Sequence, residues 1–211
     1  MKIVNCQQHS DEWFKARLGK ATASRFSDIL AEIKSGEAAS RRNYRAQLIC
    51  EILTGSWEKI YETHEMREGT ENEPLARVEY EMATGFTVHE IGFCLHDSLD
   101  AGCSPDGLIG DDGLIQIKCP NTANHLETLI DDEVPSKYMA QIQGEMWVTG
   151  RQWSDFVSYD PRLPANLQLV IKRVPRDEVY IKRLENKLIS FLKELHEEVN
   201  KLYAWQKRMN N

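Results

Sequence analysis

No stretch of apolar residues in this chain approaches the roughly 20 that a membrane-spanning helix needs. The opening, Met1-Lys-Ile-Val-Asn-Cys6, also lacks the basic-then-apolar plan of a secretory signal. A membrane association is therefore not expected, and a cytoplasmic location is. The five cysteines, at 6, 50, 94, 103 and 119, include no CxxC pair, and the six histidines include no HxH or HxxxH pair. These absences exclude a disulfide framework and a zinc site, leaving the cysteines as small buried hydrophobes in a reducing compartment. Excess positive charge is missing too: 26 Lys and Arg against 33 Asp and Glu give −7. That excludes a protein that coats nucleic acid through bulk charge, but leaves room for an enclosed channel with local positive charge. With no internal repeat, low-complexity run or linker, the 211 residues are expected to form a single domain, 1–211.

The periodicities that are present predict a mixed α/β domain: a central mixed sheet flanked by helices, with a long helix at the C-terminus. Residues 9–19 read as a helix with Ser10 or Asp11 as N-cap and Gly19 as its stop. A second helix is expected from Lys20 to about Lys34, and a third from the basic patch Arg41-Arg42-Asn-Tyr44-Arg45 to about Leu53. The patch suits either a phosphate backbone or a solvated helix face. Met66 to about Thr84 reads as a helix with Met66, Leu75, Val78 and Met82 on its apolar side, restarting or kinking at Pro74. Glu71 and Glu73 cannot share a face of it, so only one can meet a site. Residues 85–95 read as a strand, 123–131 and 136–148 as helices, and 154–159 and 167–174 as strands. In the second of those helices Tyr138, Gln141, Ile142, Glu145 and Met146 keep helical spacing. The last helix, about 176–208, carries Ile181, Leu184, Leu188, Phe191, Leu195 and Leu202 in a near-heptad stripe, for its own sheet or for an oligomer seam.

One stretch organises the chain. Gly102-Cys-Ser-Pro-Asp106-Gly-Leu-Ile109, a Gly110-Asp-Asp-Gly113 turn, and Leu114-Ile-Gln116-Ile-Lys118-Cys-Pro120 read as a hairpin of two apolar strands. On the second strand Leu114, Gln116 and Lys118 point one way and Ile115, Ile117 and Cys119 the other. Burying an amide and an ammonium on one strand face is costly unless they are used. Asp, a position normally acidic, one intervening residue and Lys form the skeleton of a metal-dependent phosphodiesterase site. Mg²⁺ takes hard oxygen ligands, and a lysine beside it can hold the attacking water. Asp106, Gln116, the carbonyl of Ile117 and Lys118 would supply these, with Glu73 completing the acidic set. An exposed strand with Gln and Lys toward water is the plain alternative. Arg17 and Ser24 flank a helix start and could seat a phosphate; a simple helix cap is the commoner explanation of Ser24.

Several motifs in one order resemble the lambda exonuclease (YqaJ-type viral recombinase) branch of the PD-(D/E)xK nuclease superfamily. They are Trp13-Phe-Lys-Ala-Arg17-Leu-Gly19-x-x-Thr22-Ala-Ser24, Gly69-x-x-x-Glu73, Cys103-Ser-Pro-Asp106-Gly107, and Leu114-x-x-x-Lys118-Cys-Pro120. Tyr138-Met-Ala-Gln141-Ile-Gln143, Met146-Trp-Val-Thr149 and Tyr159-Asp-Pro-Arg162 complete the set. The resemblance implies a restriction-endonuclease-like core and processive 5′-to-3′ degradation of one strand of duplex DNA, with Mg²⁺ or, as a substitute, Mn²⁺. It also implies a homotrimeric ring around the DNA, a single-strand annealing partner in phage recombination, and a phage or prophage gene in a bacterial cell. Mapped by motif, Asp106, Gln116 and Ile117 would hold the metal, Lys118 would assist the water, and Glu73 and Gln141 would support them. Arg17, Ser24 and Ser104 would seat the 5′-phosphate, reversing the preference for a simple cap. Trp13, Arg41, Arg42, Arg45 and Tyr138 would contact DNA.

The departure is Gln116, where the family pattern has glutamate. An amide oxygen is a neutral, weaker Mg²⁺ ligand. The expectation is a chain that binds DNA ends and cleaves poorly, as a natural inactive variant or a shape-preserving substitution. A DNA-end-binding protein without chemistry and an endonuclease on the same core are the alternatives.

Overall fold

The computed structural model describes residues 1–57 and 63–209. Its N-terminal half runs β1 (Lys2–Val4), α1 (Asp11–Arg17), β2 (Ala21–Thr22), α2 (Phe26–Leu30), α3 (Ala39–Thr54) and α4 (His64–Thr84). Short strands follow: β3 (Val88–His89), β4 (Phe93–Leu95), β5 (Ala101–Cys103), β6 (Gly107–Ile109) and β7 (Gly113–Lys118). The chain then forms α5 (Thr122–Asp131), α6 (Met139–Thr149), β8 (Trp153–Tyr159), β9 (Leu169–Pro175) and α7 (Glu178–Met209). The class is the mixed α/β expected, but with two sheets in place of one. The larger is ordered β3-β6-β7-β8-β9 and the smaller β1-β4-β5-β2. Among the described residues no helix is long and apolar enough to cross a membrane.

β7 is the axis of the larger sheet, antiparallel to β6 and parallel to β8. Both of its faces are covered, which is why it reads as a nearly continuous apolar run. Ile115 and Ile117 pack with Ala76 and Tyr80 of α4, while Leu114 packs with Ile142 and Met146 of α6. α6 also lies tight against α2. A Cβ on Gly144 would come within 2.4 Å of the Phe26 ring, so that close crossing needs glycine.

Several expectations are corrected. The first strand of the predicted hairpin is split: the chain leaves β5 in the smaller sheet, turns through Ser104-Pro105-Asp106 and enters β6 in the larger. Pro105 has no N–H for a ladder and restricts Ser104, which suits a crossing between sheets. The predicted strand 85–95 divides in the same way, β3 joining one sheet and β4 the other. The predicted second helix begins later, because Ala21 and Thr22 pair in parallel with Ala101 and Gly102; after a 3₁₀ turn, α2 covers only Phe26–Leu30.

α4 runs through Pro74 as one helix, and its apolar stripe faces out. Leu75, Val78 and Met82 are 53%, 51% and 77% exposed, whereas Ala76 and Tyr80 are buried. The side chain of Met66 lies outside the described residues. The stripe on α7 is buried as expected except for Leu202, but its main partners are helices. Leu184, Leu188 and Phe191 share a core cluster with Phe26, Ile29, Tyr44, Leu48 and Trp147. Of the cysteines, Cys94 and Cys103 are buried neighbours across β4 and β5, while Cys50 is exposed.

Candidate active site

The β6–β7 pairing ends at Gly107 and Ile115, so beyond that point the open edge of β7 meets Asp106 where a strand would continue. The Ile117 N–H, which such a strand would have bonded, donates to Asp106 Oδ2 at 2.6 Å, and the Gln116 side-chain amide donates to the same oxygen. Gln116 is fully buried. Its Oε1 accepts from Gln141 Nε2 at 2.6 Å, and that nitrogen also donates to Glu145 Oε1 at 2.8 Å. One partly buried chain of side chains therefore joins the turn before β6 to β7 and α6: Asp106, Gln116, Gln141, Glu145.

The electrostatics are those of carboxyls gathered in a poorly hydrated place. Burial, foremost, and the nearby Glu73 push Asp106 up to about 7, while Lys118 and the Ile117 N–H hold it down. Glu145 is driven well above the ordinary carboxylate range, by burial first and by Asp106 next. Its Oε2 is buried with no hydrogen-bond partner. Lys118 lies near enough to both carboxyls to favour their charged forms, and its Nζ stands 5.5 Å from the Tyr138 ring centroid. A cleft of about 520 Å³ opens beside Asp106, walled by Gln8, Glu73, Arg77 and Glu90. Glu73 faces this cleft and Glu71 is exposed, which places one acid of that helix at the site.

Oxygen donors of this kind suit Mg²⁺ or Mn²⁺. Among the described residues no three His, Cys, Asp or Glu side chains gather closely enough to hold an ion by themselves. Amide, carbonyl and phosphate oxygens would have to complete the shell. The partnerless buried Oε2 of Glu145 fits a cation better than it fits an empty core.

Two residues upstream of Asp106, Ser104 receives hydrogen bonds from Trp13 Nε1 (2.8 Å) and from Arg17 (3.4 Å). The Arg17 guanidinium lies 3.9 Å from the Trp13 ring centroid, and burial lowers its pKa. Among the described residues no carboxylate forms an ion pair with it. A largely desolvated cation with no carboxylate in direct contact suits an anion-binding site. Ser24 follows β2, whose Thr22 pairs with Gly102, and its hydroxyl lies 3.4 Å from that of Thr22.

Arg41 and Arg45 are engaged elsewhere. Arg41 grips Glu194 through two bonds of 2.8 and 2.9 Å, Arg45 reaches Glu198 at 3.0 Å, and both pair with Glu37. They clamp α3 to α7, an outcome outside both readings of the basic patch. Arg42 is exposed, and Tyr138 stacks on Phe156 beside Lys118.

Two further networks hold the frame. Asp155 on β8 accepts two bonds of 2.8 Å from Arg173 and one of 2.7 Å from Tyr80, fixing α4 to the sheet. Asp160 receives Thr122 (2.7 Å) and Arg162 (2.7 and 3.1 Å), while Arg162 also reaches the Pro120 carbonyl. The Tyr159-Asp-Pro-Arg162 motif thus latches the segment after β7 to the end of β8. Sequence reasoning missed Glu145 as a site residue. The available signal was a carboxylate four residues after Gln141, on a face shared with Ile142 and Met146.

The model of the YqaJ-like viral recombinase domain matches residues 12–152. The alkaline exonuclease LHK-Exo from Laribacter hongkongensis is 46% identical over 95% of this chain and 100% of its own, with a TM-score of 0.88. The same enzyme in complex with dAMP superposes with a TM-score of 0.89 over the same shares of the two chains. A phage-related exonuclease from Haemophilus somnus shares 15% identity over 87% of this chain and 96% of its own; its TM-score of 0.70 extends the likeness of fold. No curated protein matches the chain.

Proposed function

The chain belongs to the YqaJ-like viral recombinase family, and on that premise we propose that it is a Mg²⁺-dependent exonuclease acting on duplex DNA ends. It removes one strand in the 5′-to-3′ direction, processively, leaving 3′ single-stranded tails for an annealing partner. The observation that carries this reading is the partly buried Arg17, which has no carboxylate ion pair among the described residues and is hydrogen-bonded to Ser104 two residues from Asp106. A terminal phosphate held there by Arg17, Ser104 and Ser24 sits beside the hydrolytic carboxylate, which makes end recognition and cleavage neighbours.

In this reading Asp106, Gln116 and the Ile117 carbonyl hold the metal, with Glu73 as a supporting acid. The bound metal supplies an activated water and charge stabilisation at phosphorus. Lys118 orients the water, and its position over Tyr138 limits where its ammonium can go. LHK-Exo was solved with dAMP, and a deoxynucleoside monophosphate is the product class assigned here. We assign the outward stripe Leu75, Val78 and Met82 to the seam of a homotrimeric ring. DNA would pass through its channel, with Trp13, Arg42 and Tyr138 among the contacts and Arg41 and Arg45 acting through the α3–α7 clamp. A bacterial cytoplasm and a phage or prophage gene complete the assignment.

Gln116 favours a second reading, in which the site binds DNA ends and does not cut. Incubation with Mg²⁺ of linear duplex bearing 5′-phosphate, linear duplex without it, and covalently closed circles tests both. Release of mononucleotides from the phosphorylated ends alone is expected, and Arg17→Ala should slow it by about 10- to 100-fold, the loss of one charge-assisted contact. Cutting of closed circles would replace the proposal with an endonuclease. Tight end binding without any release would favour the second reading.

A further inference from the structure

Asp106 and Glu145 stand at the two ends of a partly buried chain whose interior links are both amides. Gln116 donates to Asp106, and Gln141 Nε2 donates to Gln116 Oε1 and to Glu145 Oε1. Two oxygens from different elements therefore converge on one nitrogen, within 2.6 and 2.8 Å of it. The other oxygen of Glu145, Oε2, is buried and unpartnered, and the residue is 0% exposed.

A carboxyl in that position has no structural justification. Its neighbours on the same helical face, Ile142 and Met146, are fully buried and apolar. Methionine would fill the space without an orphaned polar atom, and a second carboxylate near Asp106 adds repulsion. Among the described residues no Lys or Arg forms an ion pair with Glu145. The Gln141 amide satisfies the two oxygens that converge on it; the second oxygen of this buried carboxylate, at the far end of a chain that starts at Asp106, still lacks a positive partner, and a cation would supply one.

We propose that Glu145 is the second carboxylate of the metal centre, carried on helix α6 where the skeleton read from the sequence would put it on strand β7. Gln116 and Glu145 then divide between them what one glutamate would do, the strand keeping a neutral oxygen in place and the helix supplying the negative charge. The inference rests on the metal-dependent reading above. It reverses the expectation that Gln116 silences the site, because the charge absent at 116 is present at 145.

Mn²⁺ binding, followed by calorimetry and by loss of the free-ion electron paramagnetic resonance signal, tests this without an assay of cleavage. Four forms are compared: the parent, Glu145→Gln, Gln116→Glu, and the exchange Gln116→Glu/Glu145→Gln, each checked for folding by its melting temperature. Glu145→Gln should weaken Mn²⁺ binding by ~10- to 100-fold or more, the range for disturbing a metal's ligand shell. The exchange should recover most of the loss, since it returns the same charge to the same chain. Unchanged binding in Glu145→Gln, or no recovery in a folded exchange variant, overturns the inference and leaves the metal-dependent reading standing. A parent that binds no Mn²⁺ overturns both.

Discussion

Asp106 is raised from the ordinary 3.8 to about 7, chiefly by burial. In the metal-free protein it therefore keeps its proton across mildly acidic pH, and a metal must displace that proton to bind. Mg²⁺ affinity is expected to fall about tenfold per pH unit below 7 and to level off above about 8. Calorimetry in buffers of different ionisation heat should register at least one proton released per ion at pH 6, with the Asp106 share fading as pH rises through about 7. Stability carries the matching sign. A carboxyl with a raised pKa in the fold stabilises most below its unfolded value and loses that contribution as pH rises through about 7. Proton release independent of pH would remove Asp106 from the metal site. Gln116 and Lys118 were legible because strand alternation alone puts that polar pair on a face that must be buried. Glu145 was not, because a glutamate at helical spacing reads as a surface residue until Gln141 and Gln116 are known to stand against it.

Elements meet through Asp155, Tyr80 and Arg173, which fix α4, and with it Glu73, against β8 and β9. Asp155→Ala leaves the buried Tyr80 hydroxyl unpaired while the half-exposed Arg173 can turn to water, so about 2–3 kcal/mol is expected in urea denaturation. Tyr80→Phe loses one of three bonds to a carboxylate that keeps its arginine, so about 1 kcal/mol is expected. Equal, small losses would mean that apolar contacts alone seat α4. The same network explains what the sequence could not tell about this helix. Leu75, Val78 and Met82 form the better apolar stripe by spacing, but Tyr80 finds its hydroxyl partner on β8, 75 residues away, and turns the opposite face inward. The division of residues 85–95 between two sheets was hidden for a related reason: β3 pairs with Leu108–Ile109, beyond the neighbouring strand, and β4 takes the distant Lys2–Val4 on one side and the nearby Gly102–Cys103 on the other. By contrast α1 was readable to within two residues, since Ser10 caps it by accepting from the Trp13 N–H, and the covered strand β7 announced itself by a mostly apolar run broken only by Gln116 and Lys118.

For the whole molecule, net charge and the outward stripe bear on assembly. At −7, separate copies repel at long range, so any ring depends on contacts that desolvate apolar surface. Met82 is 77% exposed on the stripe assigned to the seam. Met82→Lys is therefore expected to shift sedimentation from trimer to monomer while the melting temperature of the fold stays close to that of the parent. A parent that sediments as a monomer at micromolar concentration would dismiss the ring.

Helix α7 supplies Ile181, Leu184, Leu188, Phe191, Leu195 and Val199 to the core cluster that α2, α3 and α6 also share. During synthesis those three helices emerge well before the segment that covers them. Their shared apolar surface stays open until residue 178 and beyond have left the ribosome, and the Glu194 and Glu198 clamps close later still. Translation speed across the last helix thereby sets how long the nascent chain offers a sticky face to chaperones and to its neighbours.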